Sequence, residues 1–436
     1  MKFTTLALAA VSPLALTSTL SAPAQAGGFF LQEQSPLDVG RAFAGSAAIG
    51  DSAATVWYNP AGMTNLPGLN IELGSHLLDV TSHQRDTGST RSGPGGVGSF
   101  PSGGNSGGNP FSNPVFIPSG FATYQVGDTR LWIGLGITAP FGLKVVYNDG
   151  FFGRYDSLKS DLKAFNIQPS AAYKITDNIS IGGGVDIQTF KATLTSALPN
   201  LSPLLPDGSL RIKGDDVSVG WNAGVQGNFG PLRLGAHYRS HINQRLDGKV
   251  TIAGLLGPLA GSNGVRDGVA PISTPDIATV SAVYGIGNAR LLGSVNWYNW
   301  SRFKRITVED NTGAVFLDSE QNYRDTWSYS LGGEYDLSKK LTVRAGAMHD
   351  QTPTRDELRT TRVPDGNRIW ATTGATYRMN DHVALNFSYA HVFVKAANVD
   401  RIDPVFAGTP AVVNVNTMSR NTGNADEIAG SVSLRF

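Results

Sequence analysis

The fold class of this chain is decided by one stretch near its end, Trp327-Ser328-Tyr329-Ser330-Leu331-Gly332-Gly333-Glu334-Tyr335-Asp336-Leu337. Apart from Gly333, its odd-numbered positions carry bulky or apolar residues, and its even-numbered positions carry small or polar ones. Successive side chains of a β-strand point to opposite faces of the sheet, so a period of two indicates a strand. The stretch therefore predicts a strand with one apolar and one polar face.

The same alternation recurs along the chain, for example at 179–188, 290–298 and 383–389, and predicts about fourteen strands. The expected strands begin near Leu69, Phe116, Arg130, Ala164, Asn178, Arg211, Leu232, Ile272, Ala289, Arg324, Lys340, Asn367, His382 and Ala425. A β-sandwich would show this alternation too, so the connections between strands must separate the two folds.

These connections alternate between short and long. The tight turns fall at 127–129, 176–178, 229–231, 285–288, 336–339 and 380–381. The connections between them are long, for example 84–115, 246–271, 306–323 and 397–424. Short turns at one end and long loops at the other are typical of a transmembrane β-barrel, and a sandwich has no reason to sort its loops in this way. We therefore predict an all-β, antiparallel transmembrane barrel of about 14 strands.

The end of the chain agrees with this prediction. Ile428, Gly430, Val432, Leu434 and Phe436 share one parity, which places the final aromatic residue on the apolar face, where barrels carry aromatic girdles at the membrane interface. Bacterial outer-membrane barrels commonly end in this way, and we expect contacts with outer-membrane lipid and with the outer-membrane assembly machinery.

The beginning of the chain resembles a secretory signal. Lys2 precedes an apolar run over roughly residues 3–20, and Ala24-Gln25-Ala26 forms an A-x-A cleavage motif. The alternative is a membrane anchor, but Pro13 interrupts the run. We expect a signal peptide over 1–26, a mature chain that begins at Gly27, and export to the bacterial outer membrane.

The segment 27–68 precedes the first strand and has no strand pattern of its own. Small barrels fill their interior with side chains, whereas a fourteen-stranded barrel leaves a hole unless something blocks it. Because the segment is rich in Gly, Ala and Ser, we expect it to plug the barrel of residues 69–436. The alternative is a disordered periplasmic tail.

Composition excludes several classes of function. The formal net charge is +1, which leaves no electrostatic footprint for nucleic acid. The chain has no cysteine, and hence no disulfide or zinc–thiolate site. The glycine-dense stretch 93–109 contains no lysine and is not a phosphate loop. His237 and His241 share a strand face, but no third metal ligand is evident. We expect no cofactor, no metal and no enzymatic activity.

Two blocks of sequence resemble the signatures of a known family. The first consists of 28–35, then Gly40-Arg41-Ala42-Phe43-Ala44-Gly45, Asp51, and 56–62, which contains Asn59-Pro60-Ala61. It closely resembles the N-terminal hatch of FadL-type transporters. The second, Gly153-Arg154-Tyr155 followed by Ser160, 166–170 and 172–173, is similar to another signature of that family. The resemblance spans the whole chain.

This resemblance implies a passive transporter, expected to be monomeric, for long-chain fatty acids or other hydrophobic compounds. Extracellular loops would capture the ligand, a site in the barrel would bind it, and movement of the hatch would release it sideways through the wall. A route through lipid is physically sensible, because an acyl chain in an aqueous channel would lose about 0.8 kcal/mol of burial per CH₂. Fatty acids and aromatic hydrocarbons remain alternatives within this interpretation, and a general diffusion porin lies outside it.

Candidate residues follow from these motifs. Asn59, Pro60 and Ala61 form either a hatch pivot or an ordinary turn before the first strand. Ala139, Pro140, Phe141 and Gly142 form either a lateral opening or the end of the third strand, because proline lacks the donor for a sheet ladder.

The expected ligand-binding residues are aromatic, cationic and aliphatic. Arginine suits a carboxylate, although each arginine also fits a lumen ion network. Leucines on two outer loops form either a capture groove or a packing core between the loops. The candidates are Phe29, Phe30, Arg154, Arg233, Arg239, Leu201, Leu204, Leu205, Leu255 and Leu256.

Overall fold

A single antiparallel β-sheet, closed on itself, makes up most of the computed structural model, which describes residues 27–111, 114–310 and 312–436. The expected signal peptide lies outside the described residues. The closed sheet confirms the predicted barrel of 14 strands, and the pairing of the first strand with the last, from Asn70 with Arg435 to Asp86 with Ser419, completes the wall. None of the helices in the described parts of the chain is long and apolar enough to cross a membrane.

The wall strands are numbered here in chain order, and five of them are interrupted. They are β1 (Leu69–Asp86), β2 (Val115–Gln125), β3 (Leu131–Thr138 and Gly142–Val146), β4 (Lys159–Lys174), β5 (Ile179–Leu198), β6 (Gly208–Phe229), β7 (Leu232–Arg239 and Asn243–Ala253), β8 (Gly264–Ser273 and Ile277–Ile286), β9 (Ala289–Tyr298 and Arg305–Glu309), β10 (Val315–Glu320 and Thr326–Asp336), β11 (Leu341–Asp350), β12 (Arg368–Arg378), β13 (Val383–Val405) and β14 (Val413–Arg435). Two short strands, Thr90–Arg91 and Phe100–Pro101, pair within the β1–β2 loop.

Side chains alternate between the two faces of the wall as the sequence predicts. In β10, Tyr329 and Leu331 are exposed on the outer face, while Ser328, Ser330 and Glu334 are buried on the inner face. Exposed aromatic residues form a ring at the end of the barrel that carries the tight turns: Tyr124, Tyr173, Phe229, Tyr284, Tyr335, Tyr377 and Phe436. A second group lies toward the other end: Phe116, Trp221, Trp327 and Phe393. Two aromatic levels around an apolar band are typical of a membrane barrel.

The long connections are shorter than predicted. Residues 246–271, 306–323 and 397–424 were expected to be loops, and this expectation is wrong, because strands occupy most of each range. The described residues outside strands in these ranges are 254–263, 310, 312–314, 321–323 and 406–412. Beyond the membrane no lipid selects an apolar outer face, so these strand extensions lose the alternation that reveals the rest of the wall.

Residues 27–68, called here the N-terminal segment, lie inside the barrel. Every residue from Gly27 to Gly50 is buried. The segment contains two single-turn helices, α1 (Pro36–Val39) and α2 (Thr55–Tyr58), and a 3₁₀ helix over Pro60–Asn65. Proline begins α1 and the 3₁₀ helix, a position where its missing N–H has no helical partner to lose.

The depth of an outward side chain sets how much a charge there destabilises the barrel. Leu331 lies midway between Trp327 and Tyr335 and is 75% exposed, so Leu331→Arg should lower the free energy of unfolding by about 2–4 kcal/mol. Leu337 is 57% exposed in the tight turn, and Leu337→Arg should change the free energy of unfolding by about 0–1 kcal/mol. Denaturant titration in phospholipid vesicles measures both, and equal effects would contradict this assignment of the two faces.

Candidate functional site

A buried arginine links the N-terminal segment to the barrel wall. The guanidinium of Arg41 lies 2.8 Å from Asp38 Oδ1, 2.9 Å from Asp51 Oδ2 and 3.1 Å from Glu334 Oε1 on β10. Only 1% of Arg41 is exposed. A buried charge is strongly destabilising unless it is paired, so this guanidinium depends on carboxylates from both the segment and the wall.

The wall continues this ion network. Glu334 also accepts from Arg290 Nε at 2.8 Å and from Arg344 Nε at 3.0 Å. Burial by itself would raise the pKa of Asp51, but the Arg41 guanidinium outweighs burial and holds that pKa well below its usual range. Asp51 is therefore ionised at neutral pH and remains a partner for Arg41.

The turn around Arg41 has an unusual backbone conformation and packs against glycines of the wall. Ala42 and Phe43 both have positive φ, 53° and 60°, a conformation that costs non-glycine residues roughly 1–3 kcal/mol each. A Cβ on Gly346 would lie 2.4 Å from the Arg41 carbonyl oxygen, and one on Gly332 would lie 2.8 Å from it. The absence of side chains at these wall positions lets the turn press against the sheet.

Asn59-Pro60-Ala61 also packs against the wall, at β5 and β6, and side-chain hydrogen bonds hold it there. Asn59 Nδ2 donates to the Ala47 carbonyl at 2.7 Å and to the Val225 carbonyl at 3.0 Å, while its Oδ1 accepts from Ala61 N at 3.1 Å. The last bond caps the 3₁₀ helix that begins at Pro60. Asn59 therefore joins two parts of the segment to the wall.

Two wall glycines leave room for this tripeptide, and neither is among the residues expected from the sequence. A Cβ on Gly224 would lie 2.1 Å from Asn59 Oδ1, and one on Gly182 would lie 2.5 Å from Ala61 N. Glycine is expected where another backbone approaches a strand closely. The available signal was a glycine on the inward parity of a predicted strand.

The second signature block supplies another wall contact. Gln168 Nε2 donates to the Val56 carbonyl at 2.5 Å. Arg239 donates to the Trp57 carbonyl at 2.8 Å, pairs with Asp186 and lies 3.6 Å from the centre of the Trp57 ring. The two signature blocks are thus brought together, and Arg239 is engaged by the N-terminal segment and by Asp186.

A small cavity separates the segment from the wall beside this contact. Its volume is about 40 Å³, room for one or two water molecules. Aromatic rings from both sides surround it, with the buried side chains of Arg239 and His237 among them: Phe30, Phe43, Trp57, Tyr58 and Tyr298. The cavity thus combines an aromatic surface with a cation inside the barrel.

The two histidines singled out by their spacing do not share a site. His237 lines the cavity, whereas the ring of His241 lies 2.9 Å from Asp276. Among the described residues, no group of three or more His, Cys, Asp or Glu side chains is placed to hold a metal ion.

The third strand is broken at the candidate lateral opening. β3 stops at Thr138 and resumes at Gly142. Within the described residues, β2 pairs with β3 only from Gly120 onward, so no ladder joins Val115–Ser119 to the break. Strand structure therefore continues after Pro140, and the break has no neighbouring wall strand on the β2 side among the described residues.

The N-terminal segment covers the break from inside. Leu31 N donates to the Pro140 carbonyl at 2.8 Å, and Gly142 N donates to the Phe29 carbonyl at 3.0 Å. The side chain of Gln34 both donates to and accepts from the backbone of Ala139, at 3.2 Å each. Residues 29–34 thus satisfy the backbone groups that a neighbouring strand would otherwise pair.

The aromatic candidates lie directly beside the break. The Phe29 ring contacts Phe141 and Trp300, with ring centres 5.9 and 4.9 Å apart, and the Phe30 ring lies 5.4 Å from Phe141 and 5.7 Å from Tyr298. Both phenylalanines are buried. They place an apolar surface behind the break in β3.

The remaining arginine candidates lie elsewhere. Arg154 is in the β3–β4 loop and donates to Asp207 at 2.8 Å, and Tyr155 donates to the same carboxylate at 2.8 Å. Arg233 lies at the opposite end of the barrel and donates to the Ile49 carbonyl at 2.9 Å. The three candidate arginines therefore form no common site.

The leucine candidates come together on two outer loops. Asn200 joins the β5–β6 loop to the β7–β8 loop, because its Nδ2 donates to the Gly254 carbonyl at 3.1 Å and its Oδ1 accepts from Leu256 N at 2.8 Å. Leu255 is buried between the loops, whereas Leu204 is 94% exposed. Leu205 and Leu256 are exposed as well. The loops thus have a packed base and an apolar outer surface.

The chain is similar to known proteins over almost its whole length. Residues 17–436 match the family model described as outer membrane protein transport protein (OMPP1/FadL/TodX). Outer membrane protein P1 of Haemophilus influenzae Rd is 27% identical over 458 aligned positions, which cover 95% of each chain. A long-chain fatty acid transport protein of Escherichia coli O6:H1 is 26% identical over 427 positions, or 89% of this chain and 91% of its own.

Solved structures share the fold. A Pseudomonas aeruginosa FadL homologue superposes with a TM-score of 0.82 at 23% identity, over 94% of this chain and 100% of its own. The Ralstonia pickettii toluene transporter TbuX superposes with a TM-score of 0.64 at 20% identity, over 94% and 99% of the two chains.

Filling one wall glycine should displace the N-terminal segment and leave the barrel intact. Gly224→Ala places a Cβ against Asn59 Oδ1 and should break the hydrogen bonds of the Asn59 side chain. The loss should weaken the attachment of the segment to the wall by about 1–3 kcal/mol. We expect faster proteolysis of residues 27–68 and a higher ion conductance in planar bilayers. Gly293→Ala is the matched control, because its Cβ would face outward with its nearest neighbour 3.7 Å away. Equal behaviour of the two variants would contradict the contact.

Proposed function

The chain belongs to the OMPP1/FadL/TodX family of outer-membrane transport proteins, and from this premise we propose that it carries long-chain fatty acids passively across the bacterial outer membrane. Membership makes it an outer-membrane β-barrel that transports hydrophobic compounds.

The break in β3 is the observation that carries the proposed route. In this proposal the break beside Pro140 is the route from the barrel interior to the lipid, and residues 29–34 cover it from inside. A ligand that leaves here passes from apolar side chains into the bilayer without entering water. For an acyl chain, this route avoids the free-energy cost of exposure to water, which is about 0.8 kcal/mol per CH₂.

The N-terminal segment is proposed as the hatch. The 40 Å³ cavity is far too small for an acyl chain, so a bound ligand requires the segment to move. Ion pairs and hydrogen bonds hold the segment, and these contacts can be exchanged for others without breaking covalent bonds. Phe29 and Phe30 are proposed as part of the apolar surface that the ligand then contacts.

The outer loops are proposed as the capture surface. Leu204, Leu205 and Leu256 expose an apolar patch at the far end of the barrel, and exposed apolar patches of this kind mark binding surfaces. Leu201 and Leu255 lie in the packed base beneath it. In this proposal Arg154 orders the loops through Asp207, because its guanidinium is already paired there.

Uptake of an aromatic hydrocarbon is a second candidate, and the lining of the cavity favours it. Five aromatic rings surround that space, and rings of this kind suit a flat apolar ligand. The relatives leave both possibilities in view, since one is named for long-chain fatty acids and one solved structure is a toluene transporter. Arg239 is already paired with Asp186, so the ranking rests on the relatives. The one named for long-chain fatty acids is 26% identical over 89% of this chain, whereas the toluene transporter is a likeness of fold at 20% identity.

Uptake by cells separates these candidates. In a bacterial strain that lacks its own transporter, expression of this chain should restore saturable uptake of labelled oleate, with labelled toluene as the comparison. Uptake of toluene alone would favour the second candidate. Large, steady ion currents through the purified wild-type protein in planar bilayers would contradict a plugged transporter and favour a general diffusion porin.

The hatch motif can be tested at its proline. Pro60→Ala frees the backbone φ at the start of the 3₁₀ helix and should reduce oleate uptake several-fold, while the folded barrel still migrates as a heat-modifiable band. Pro67→Ala is the matched control, because Pro67 is exposed and lies outside the helix. Normal uptake by Pro60→Ala would show that the tripeptide is an ordinary turn.

A further inference from the structure

The first residues of the N-terminal segment are clamped beneath the β11–β12 loop (residues 351–367). Gly28 N donates to Asp365 Oδ2 at 3.0 Å, and the backbone N–H of Gly27 hydrogen-bonds to Asp350. A Cβ on Gly28 would lie 3.1 Å from the Trp300 ring, and φ there is +72°. The fit leaves the amide nitrogen of Gly27 little freedom to move away from Asp350.

The charges around this nitrogen do not balance. Asp350, Asp365 and Arg368 are all at most 4% exposed. Arg368 lies 3.2 Å from Asp350 Oδ2 and pairs with Asp365 as well. Two buried carboxylates therefore share one buried guanidinium, and an unpaired buried charge is strongly destabilising.

Among the described residues, the groups hydrogen-bonded to Asp350 or Asp365 include no cation besides Arg368. Thr352 donates its hydroxyl to Asp365 Oδ2 at 2.5 Å and carries no charge. Glu33, also on the N-terminal segment, lies close enough to interact electrostatically with Arg368 and Asp350. Burial, reinforced by Glu427, raises the pKa of Glu33 well above its usual range, and a carboxyl group supplies no positive charge in either protonation state.

We propose that the α-ammonium group created by signal-peptide cleavage is the second cation of this cluster and pairs with Asp350. Hydrolysis of the Ala26–Gly27 bond by water, catalysed by an export peptidase, leaves a carboxylate on Ala26 and an amine on Gly27. A terminal amine has an ordinary pKa of about 7.7–8.0 and takes up a proton at neutral pH. The nitrogen that donates a neutral amide hydrogen bond before cleavage becomes a charged partner after it.

This pairing makes processing a step that locks the N-terminal segment in place. Gly27 and Gly28 precede the residues that cover the break in β3, so a fixed terminus holds Phe29–Gln34 against the opening. The ion pair rests on the expected cleavage site, and its effect on gating rests on the proposed function. The tests below use no transported ligand, so a failure of the ion pair is distinguishable from a failure of transport.

The first test is the chemical state of the terminus. Intact-mass and N-terminal peptide analysis of the protein purified from outer membranes should show a chain that begins at Gly27. A different terminus would overturn the proposal. With Gly27 confirmed, an amine-reactive acylating reagent at pH 8 should label the α-amine at least tenfold more slowly in the folded protein than in urea. Equal rates would also overturn it.

The second test is a double-mutant cycle on the rate of proteolysis within residues 27–34. Insertion of Ser-Ser between Ala26 and Gly27 moves the ammonium away, and Asp350→Asn removes its partner. Each change should raise the rate by about tenfold, and the two together should raise it by much less than the product, because both remove one interaction. Asp128→Asn, in the exposed β2–β3 turn, is the control and should change nothing.

Independent effects in this cycle would overturn the ion pair even if each variant alone loosened the segment. The mass of the insertion variant must first show that cleavage still follows Ala26. A variant processed elsewhere is replaced by one with a single inserted Ser. Wild-type labelling and proteolysis rates remain informative if Asp350→Asn does not assemble, since they need no substitution.

Discussion

The closure of one sheet on itself is the constraint from which the rest of this structure follows. Each of the 14 strands has a neighbour on both sides, and β1 is joined to β14 as far as Phe436, whose N–H donates to the Leu69 carbonyl at 2.8 Å. A membrane offers no water to satisfy an open sheet edge, so closure is required. It also creates an interior that must be filled, and it makes any local loss of pairing a hole in the wall.

The N-terminal segment fills this interior through contacts that are strong but exchangeable. Arg41 is surrounded by three carboxylates, and Asn59 reaches the wall through glycines that leave room for it. Breaking one partner of a buried pair leaves an uncompensated charge, which keeps the segment in place at rest. Apolar packing acts beside these polar contacts, because Phe29, Phe43 and Met63 of the segment lie in one buried cluster with side chains of the wall.

The break in β3 and the segment are complementary parts of one arrangement. Pro140 prevents a continuous ladder, and the backbone of Phe29 and Leu31 supplies the missing partners from inside. The same residues that satisfy the backbone of the wall therefore cover the break in it. The buried cluster at Asp350 and Asp365 lies at the free end of this stretch, where a small change in charge acts on the residues nearest the break.

The sequence by itself determined the barrel, its strand count, its tight turns and its inner and outer faces, because a period of two depends only on neighbours along the chain. It also pointed to the residues of the Arg41 and Asn59 motifs through their resemblance to a family. Only the tertiary structure decided what these residues contact. Arg41 meets Glu334 across 293 positions, and Arg239 meets Trp57 across 182. The wall glycines, the strand extensions beyond the membrane and the cluster near Gly27 were likewise decided there, since each depends on residues that only closure of the barrel brings together.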